Sequence, residues 1–581
     1  MAKMRKCIRG VRQVFIAIVL LACLLPCTPL FAQNSSPAER LSPNTIFYVQ
    51  WRGASYLTDS EKKNHLLLLM QDPQMAPLWL AVTNHVRAGD GKQTTAVPAP
   101  GLFDFISLAA NSALFGVAEL PELPKAPAAE GASPHVGIFV VYDAKGKTDL
   151  IQKFEAYQKA TSKTAPVVTH FDFEETSVEV ETTGTDTAYS AQAGTYFVLA
   201  NQRPIIEDLI SRFHGDAKPV TSLADLPQYK EAHKYMGADS AVEFFARTPN
   251  FKKLVPADPK NESIMKIVDN FHLDRIHAMA GGLSFTGEAT RFHVGILGDT
   301  SKGSLFDFYG ASGATFVTQP IVNDSATFSI SRLDWAALYQ LIRSALDGAL
   351  PPQQAAAVGA MEGAAQGYLG MSINDALGLF SGEIASASSY DDDGTAQQMF
   401  AVTIQKPNDV LRMLRAVVGT MIAAEDTSGD TAYLDLAYPY KDPGSSTQRR
   451  KFYYIAVTPH LLVAGERKKA VRDAIGRLNA NGGTVAANGI FASDEYAHLR
   501  SQLPEKLSGL SAGDFRLIPW DKIIANYASK AAEAKGSKDY TPPDLGWIKL
   551  IKPDVVSRHV HIVVGGAWKD ANGVYFDSYL Q

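Results

Sequence analysis

The chain writes one local pattern twice. The segment "YSAQAGTYFVLANQRPIIEDLISRF", Tyr189 to Phe213, reads as strand, turn, strand, helix. So does "YIAVTPHLLVAGERKKAVRDAIGRL", Tyr454 to Leu478, at a constant offset of 265. Ile206, Leu209, Ile210 and Phe213 make the apolar stripe of the first helix, and Val471, Ala474, Ile475 and Leu478 that of the second. A chain of 581 residues is too long for a single core, so a doubled unit of half that length is the direct reading.

Other segments follow in the same order. "TIFYVQWRG", Thr45 to Gly53, has its counterpart in "ATFSISRLD", Ala326 to Asp334. "ALFGVAEL" matches "GLFSGEIA" at the offset of 265, through Leu114-Phe115 and Leu379-Phe380. "FVVYDAKGKTDLIQKFEAY" aligns without gaps on "MFAVTIQKPNDVLRMLRAV" at an offset of 260, with Thr148 and Asn408 placed to cap a helix. The strands "SAVEFFAR" and "DFRLIPW" come next, and each copy closes on a hairpin. The hairpins turn at Gly287 and at Asn572-Gly573, and they carry the glycine pairs Gly281-Gly282 and Gly565-Gly566.

The expected fold class is α+β: two tandem diverged copies of a mainly antiparallel sheet with helices on one face, an elaborated ferredoxin-like arrangement. The expected organisation is a signal peptide over 1–32, a linker over 33–44, a first repeat over 45–300, a linker over 301–325 and a second repeat over 326–581.

The N-terminus reads as an export signal. Lys3, Arg5, Lys6, Arg9 and Arg12 precede the apolar run "VFIAIVLLACLL", and small residues lead to a junction after Ala32. Leu20-Leu21-Ala22-Cys23 offers a second route, lipidation at Cys23, and an uncleaved N-terminal anchor is a third. Cys7, Cys23 and Cys27 all lie in this segment, so a chain cut after Ala32 has no thiol chemistry, zinc–cysteine site or disulfide. The cut also removes five positive charges and moves the formal charge from −5 to −10. Such a balance lacks the basic footprint of a nucleic-acid binder. Membrane contact is expected only through the signal or a lipid on Cys23.

No motif assembles a catalytic set. "GLSAG", Gly509 to Gly513, fits G-x-S-x-G, but a nucleophile elbow needs a strand before the serine and a helix after it. Here a helix-like segment precedes Ser511 and a strand follows. His559 and His561 alternate on an expected strand and could share a face as metal ligands or partner Ser511, yet no third ligand lies at a suitable spacing. "AKGKTD" lacks the first glycine of a phosphate loop, with Val141 in its place, and reads as a turn into a helix. Asp391-Asp392-Asp393-Gly394 lacks the rest of a calcium loop and reads as a solvated hairpin turn. Phe47, Tyr48 and Trp51 read as core or as the lining of a pocket. No cofactor or metal is expected.

The segment "LSPNTIFYVQWRG", through Leu41, Asn44, Thr45, Tyr48 and Val49, resembles the opening of a bacterial family of exported proteins catalogued only as a domain of unknown function. "FVVYDAKGKTDLIQKF" and "GGLSFTGEATRFHVGIL" resemble it too. The resemblance implies export and transfers no functional residue. The expected function is therefore that of a periplasmic or secreted envelope protein that binds or scaffolds an envelope partner without enzymatic activity. The alternative is a periplasmic hydrolase with its site in a cleft between the copies.

Overall fold

The computed structural model describes residues 37–78, 81, 107–120, 136–161, 166–184, 186–215, 221–236, 240–248, 266, 269–301, 304–380, 382–441, 448–480, 489–526, 550 and 552–581. The signal segment and Cys23 lie outside them. The chain forms two compact units, one of residues 1–254, 277–296 and 550–555, the other of 255–276, 297–549 and 556–581. The fold is α+β, built on antiparallel sheet.

The first ten strands are β1 (Thr45–Trp51), β2 (Ala113–Glu119), β3 (Val136–Asp143), β4 (Val167–Phe173), β5 (Thr176–Thr183), β6 (Asp186–Ala193), β7 (Tyr196–Ala200), β8 (Ser240–Arg247), β9 (Ile276–Thr286) and β10 (Ala289–Gly298). They lie side by side as β4-β5-β6-β7-β3-β2-β1-β8-β9-β10. The second ten are β11 (Thr327–Leu333), β12 (Gly382–Tyr390), β13 (Ala396–Thr403), β14 (Ile422–Ser428), β15 (Thr431–Lys441), β16 (Gln448–Val457), β17 (Leu461–Gly465), β18 (Gly509–Asp514), β19 (Ile562–Lys569) and β20 (Gly573–Leu580). Their order is β14-β15-β16-β17-β13-β12-β11-β18-β19-β20.

Pairing registers are matched as closely as strand order. Phe139 faces Ala200 and Met399 faces Gly465, which carries the offsets of 260 and 265 across the β3–β7 and β13–β17 ladders. Tyr189 faces Ala200 and Tyr454 faces Gly465 in the next ladders. A single row of directly opposed residues, Val140–Phe115–Val49–Phe244–Gly281, crosses β3, β2, β1, β8 and β9. Its counterpart across β13, β12, β11, β18 and β19 is Phe400–Ser386–Ser329–Ser511–Gly565. The glycine pairs therefore occupy the same register position.

Several local expectations need correction. Register places Phe115 opposite the position of Ser386, six residues from the offset of 265, because Leu379-Phe380 close the helix Ile373–Gly378 instead of entering β12. Val49 corresponds to Ser329, one residue from the expected pairing of the opening strands. Asn408 is the second residue of the helix Pro407–Val418, whose cap is Lys406 in the left-handed region at φ 51°. The strand expected at "DFRLIPW" lies earlier, in Gly509–Asp514. Asp514 instead accepts the Arg516 backbone N–H at 3.0 Å and starts a 3-10 turn.

Helices pack on both faces of each sheet, not on one. In the second unit Val410, Leu411 and Leu414 of the helix Pro407–Val418 cluster with Val402, Ile455 and Leu462. Val471 of the helix Lys468–Ala480 meets the opposite face, 3.1 Å from where a Cβ on Gly465 would stand. In the first unit Leu150, Ile151 and Phe154 pack with Ala113, Tyr142 and Phe197, while Ile205 approaches Gly137 from the other side.

Candidate functional site

In a strand, alternate residues point to opposite faces, and an antiparallel sheet with one wet face shows apolar-in, polar-out alternation. The first face of the first-unit sheet is the core. Tyr48, Leu114, Phe139, Val141 and Phe245 are at most 4% exposed. Full burial of such side chains contributes about 1.5–3 kcal/mol each.

The second face is apolar too. Val140, Phe115, Val49 and Phe244 form one row on it. Ile138, Val117, Phe47, Ala246 and Met279 form the next. These side chains are half-buried, Met279 being 37% exposed, and Phe47 meets Phe115 edge-on at 6.2 Å. The adjoining row, with Trp51 and Val242, is covered: Trp51 clusters with Ala54, Leu57 and Leu67, and its Nε1 donates to the Ala109 carbonyl at 2.7 Å. Gly281 opposite Phe244 has a physical reason, because a Cβ there would stand 2.9 Å from the Phe244 ring and 2.2 Å from the His293 carbonyl.

The same positions in the second unit are more polar. Phe400, Ser386, Ser329 and Ser511 occupy the first row, and Gln398, Ser388, Thr327, Gly513 and Val563 the second. Opposite faces of β11 and β12 carry Phe328, Ile330, Ala385 and Ala387, all buried. Strands β11 and β12 therefore keep plain alternation where β1 and β2 are apolar on both sides.

An arginine at the end of each central strand is tied to a buried carboxylate. Arg52 Nη2 donates to Glu243 Oε2 at 2.8 Å, and Tyr48 Oη donates to Glu243 Oε1 at 3.1 Å. Burial, and then the Glu243 charge, hold the Tyr48 phenol well above its ordinary pKa. Arg332, at the equivalent register position, pairs with Glu383 at 3.0 Å from the strand on the other side, and Glu383 also accepts from Thr318 N and Oγ1. A buried pair missing one member leaves an uncompensated charge, so both read as structural anchors.

The residues singled out for chemistry are not brought together. Ser511 lies inside β18, between Ser329 and Gly565, with no elbow around it. His559 closes a helix, Pro553–His559, and His561 precedes β19, so the strand expected to hold both is absent. Pro at the first helical position, Asp554 in the first turn and Arg558 in the last were the helix signals that the alternation in "HVHIVV" concealed. Asp514, three residues and roughly 10 Å of strand rise from Ser511, pairs with Ile562, and His561 lies beyond it. His561 Nδ1 sits 3.3 Å from Glu495, whose carboxylate also holds Arg516 at 2.6 Å.

Among the described residues no group of three or more His, Cys, Asp or Glu is arranged to hold a metal. Asp391 and Asp393 serve the β12–β13 turn: Asp393 Oδ1 accepts from Thr395 N at 2.8 Å, and Asp391 Oδ2 accepts from Gln397 at 2.9 Å and pairs with Arg467. Lys147, from the loop resembling a phosphate site, donates to Ser107 Oγ at 2.8 Å. A shallow pocket of about 620 Å³ is lined by Phe491, Tyr496, Arg500 and Leu503, but the Arg500 guanidinium is spent on the Pro504 and Glu505 carbonyls. No helix among the described residues is long and apolar enough to cross a membrane.

No family model matches the chain, and no curated protein does. One solved structure, titled "Structure of crystal form I of TP0453", aligns over 47% of this chain and 82% of that one, at 10% identity and a TM-score of 0.20. A likeness of that size carries no argument about fold or function.

Proposed function

We propose that this is an exported bacterial envelope protein, made of two diverged copies of one antiparallel α+β unit, that binds a partner without turning it over. The matched strand order and registers support the doubling, and the basic-apolar N-terminal segment supports export. Its resemblance to exported proteins of unknown function fits the same reading. The binding surface is the second face of the first-unit sheet, and one observation carries it: Val49, Phe115, Val140 and Phe244 form an apolar row where the same fold elsewhere in the chain has Ser329, Ser386, Phe400 and Ser511. These side chains are half-buried, and the reading assigns the partner to the surface they leave accessible. The hydrolase alternative loses its residues, since Ser511 and His561 stand apart along the ladder.

A photo-crosslinking amino acid placed at Phe115 and, separately, at Ser386 tests this in cells exporting the full chain. The reading expects a discrete adduct from position 115 and none from 386. Equal adducts from both, or none from either, would remove the assignment.

A further inference from the structure

Independently of the apolar face, we infer that the edge strand β4 takes up an extended polypeptide segment in which basic and apolar residues alternate. Among the described residues β4 pairs with β5 alone. The turn between them fixes which backbone groups are left over. Glu174 and Glu175 both stand in the left-handed region, at φ 46° and 62°, and make the two-residue turn of a tight hairpin. Phe173 and Thr176 close that turn as a hydrogen-bonded pair, and such pairs recur at every second residue. Val168, His170 and Asp172 therefore aim their N–H and C=O groups away from β5. No backbone bond from another described element meets them. Val167 is 65% exposed and Val168 41%, so this end of the edge is open to solvent. Groups in that spacing are met by the backbone of one more strand.

The two faces of the hairpin say what that strand carries. On one face Val168, His170 and Asp172 lie opposite Glu181, Glu179 and Ser177, with His170 Nε2 3.7 Å from Glu179. From Val167 to Ala193 the acids are Asp172, Glu174, Glu175, Glu179, Glu181 and Asp186, and there is neither Lys nor Arg. Lysines or arginines on the incoming strand answer that charge. On the other face Val167, Thr169 and Phe171 lie opposite Thr182, Val180 and Val178, a surface suited to β-branched side chains. Arg203 stacks over Phe171 at 4.2 Å and pairs with Glu207. The same acidity disfavours a second copy of this chain, whose own hairpin would bring like charges together. The equivalent edge of the second unit is guarded. There β14 shifts register between Ile422 and Ala424, and its Glu425 and Asp426 pair with Arg415 and Arg472. Bulges and charges are the usual means of blunting an edge. β4 keeps an unbroken register over its seven residues.

The probe is a dye-labelled seven-residue peptide of alternating Lys and Val, titrated into the purified exported chain and read by fluorescence anisotropy. Saturable binding is expected, at least tenfold tighter than that of a peptide with the same residues arranged in blocks. His170→Pro removes one outward N–H and spares the pairing with β5, because proline is tolerated where an edge N–H faces solvent. It is expected to weaken binding at least tenfold. Asp172→Lys reverses a charge and leaves the backbone alone, so it serves if the proline variant does not fold, with the same expected loss. No saturable binding, equal binding of the block peptide, or unchanged binding in the folded variants overturns the inference. Sedimentation of the chain alone gives the remaining outcome: a dimer that His170→Pro dissolves would make the occupant a second copy, and the basic strand falls.

Discussion

At the residue scale, burial decides chemistry more often than motif does. Ser511 satisfies a hydrolase pattern yet is one hydroxyl in a row with Ser329 and Ser386, held by ladder pairing. His293 is 2% exposed, and burial, helped by the Arg291 charge, pushes its imidazole down to about 4. A folded-state pKa below the unfolded value near 6.5 means that the unfolded chain binds the extra proton first. Stability is then lost as pH falls from about 6.5 towards about 4, at about 1.4 kcal/mol per pH unit. Denaturant titrations at pH 7 and pH 5 should show His293→Gln losing about 2 kcal/mol less than wild type over that interval. An identical loss in both proteins would contradict this placement of the ring.

At the element scale, legibility followed hydrophobic pattern. The strand–turn–strand–helix segments at Tyr189 and Tyr454 were readable because alternation and helical stripes coincide with turns at Gly194 and near His460. The strand Gly509–Asp514 was hidden because glycine, serine and alanine carry little strand signal, while Phe515 and Leu517 beyond it look like strand and form a 3-10 turn. The candidate site was also written in pattern: "FYV", "LFGVA" and "FFA" are unbroken apolar runs, whereas "FSIS" and "ASASS" alternate. An unbroken run signals a strand apolar on both faces, and the contrast between the units is visible only at the register their ladders set. Glycine behaviour offers a check. Gly281→Ala meets the His293 carbonyl at 2.2 Å and the Phe244 ring at 2.9 Å, whereas Gly565→Ala meets chiefly the rotatable Ser511 Oγ at 2.8 Å. Thermal unfolding should show a cost of about 1–3 kcal/mol for the first and under about 1 kcal/mol for the second; the reverse order would contradict the register equivalence.

At the scale of the whole molecule, two units with one strand order have matching closed faces and differ on the other. The closed faces hold the large buried side chains, such as Tyr48 and Phe245 in the first and Phe328 and Ile330 in the second. The anchors use different neighbours: Arg52 takes its carboxylate from β8, Arg332 from β12. What separates the units on the second face is Val49, Phe115 and Phe244 against Ser329, Ser386 and Ser511. The measurement that bears most directly on this is the unfolding free energy of the full chain carrying Val49→Ser, Phe115→Ser and Phe244→Ser, which install the residues of the second unit. Half-buried side chains dispensable to the fold should cost about 1 kcal/mol per site and leave the native spectrum unchanged. A loss of about 3–5 kcal/mol per site, the cost of emptying a closed core, would show that these residues hold the unit together and are not there to meet a partner.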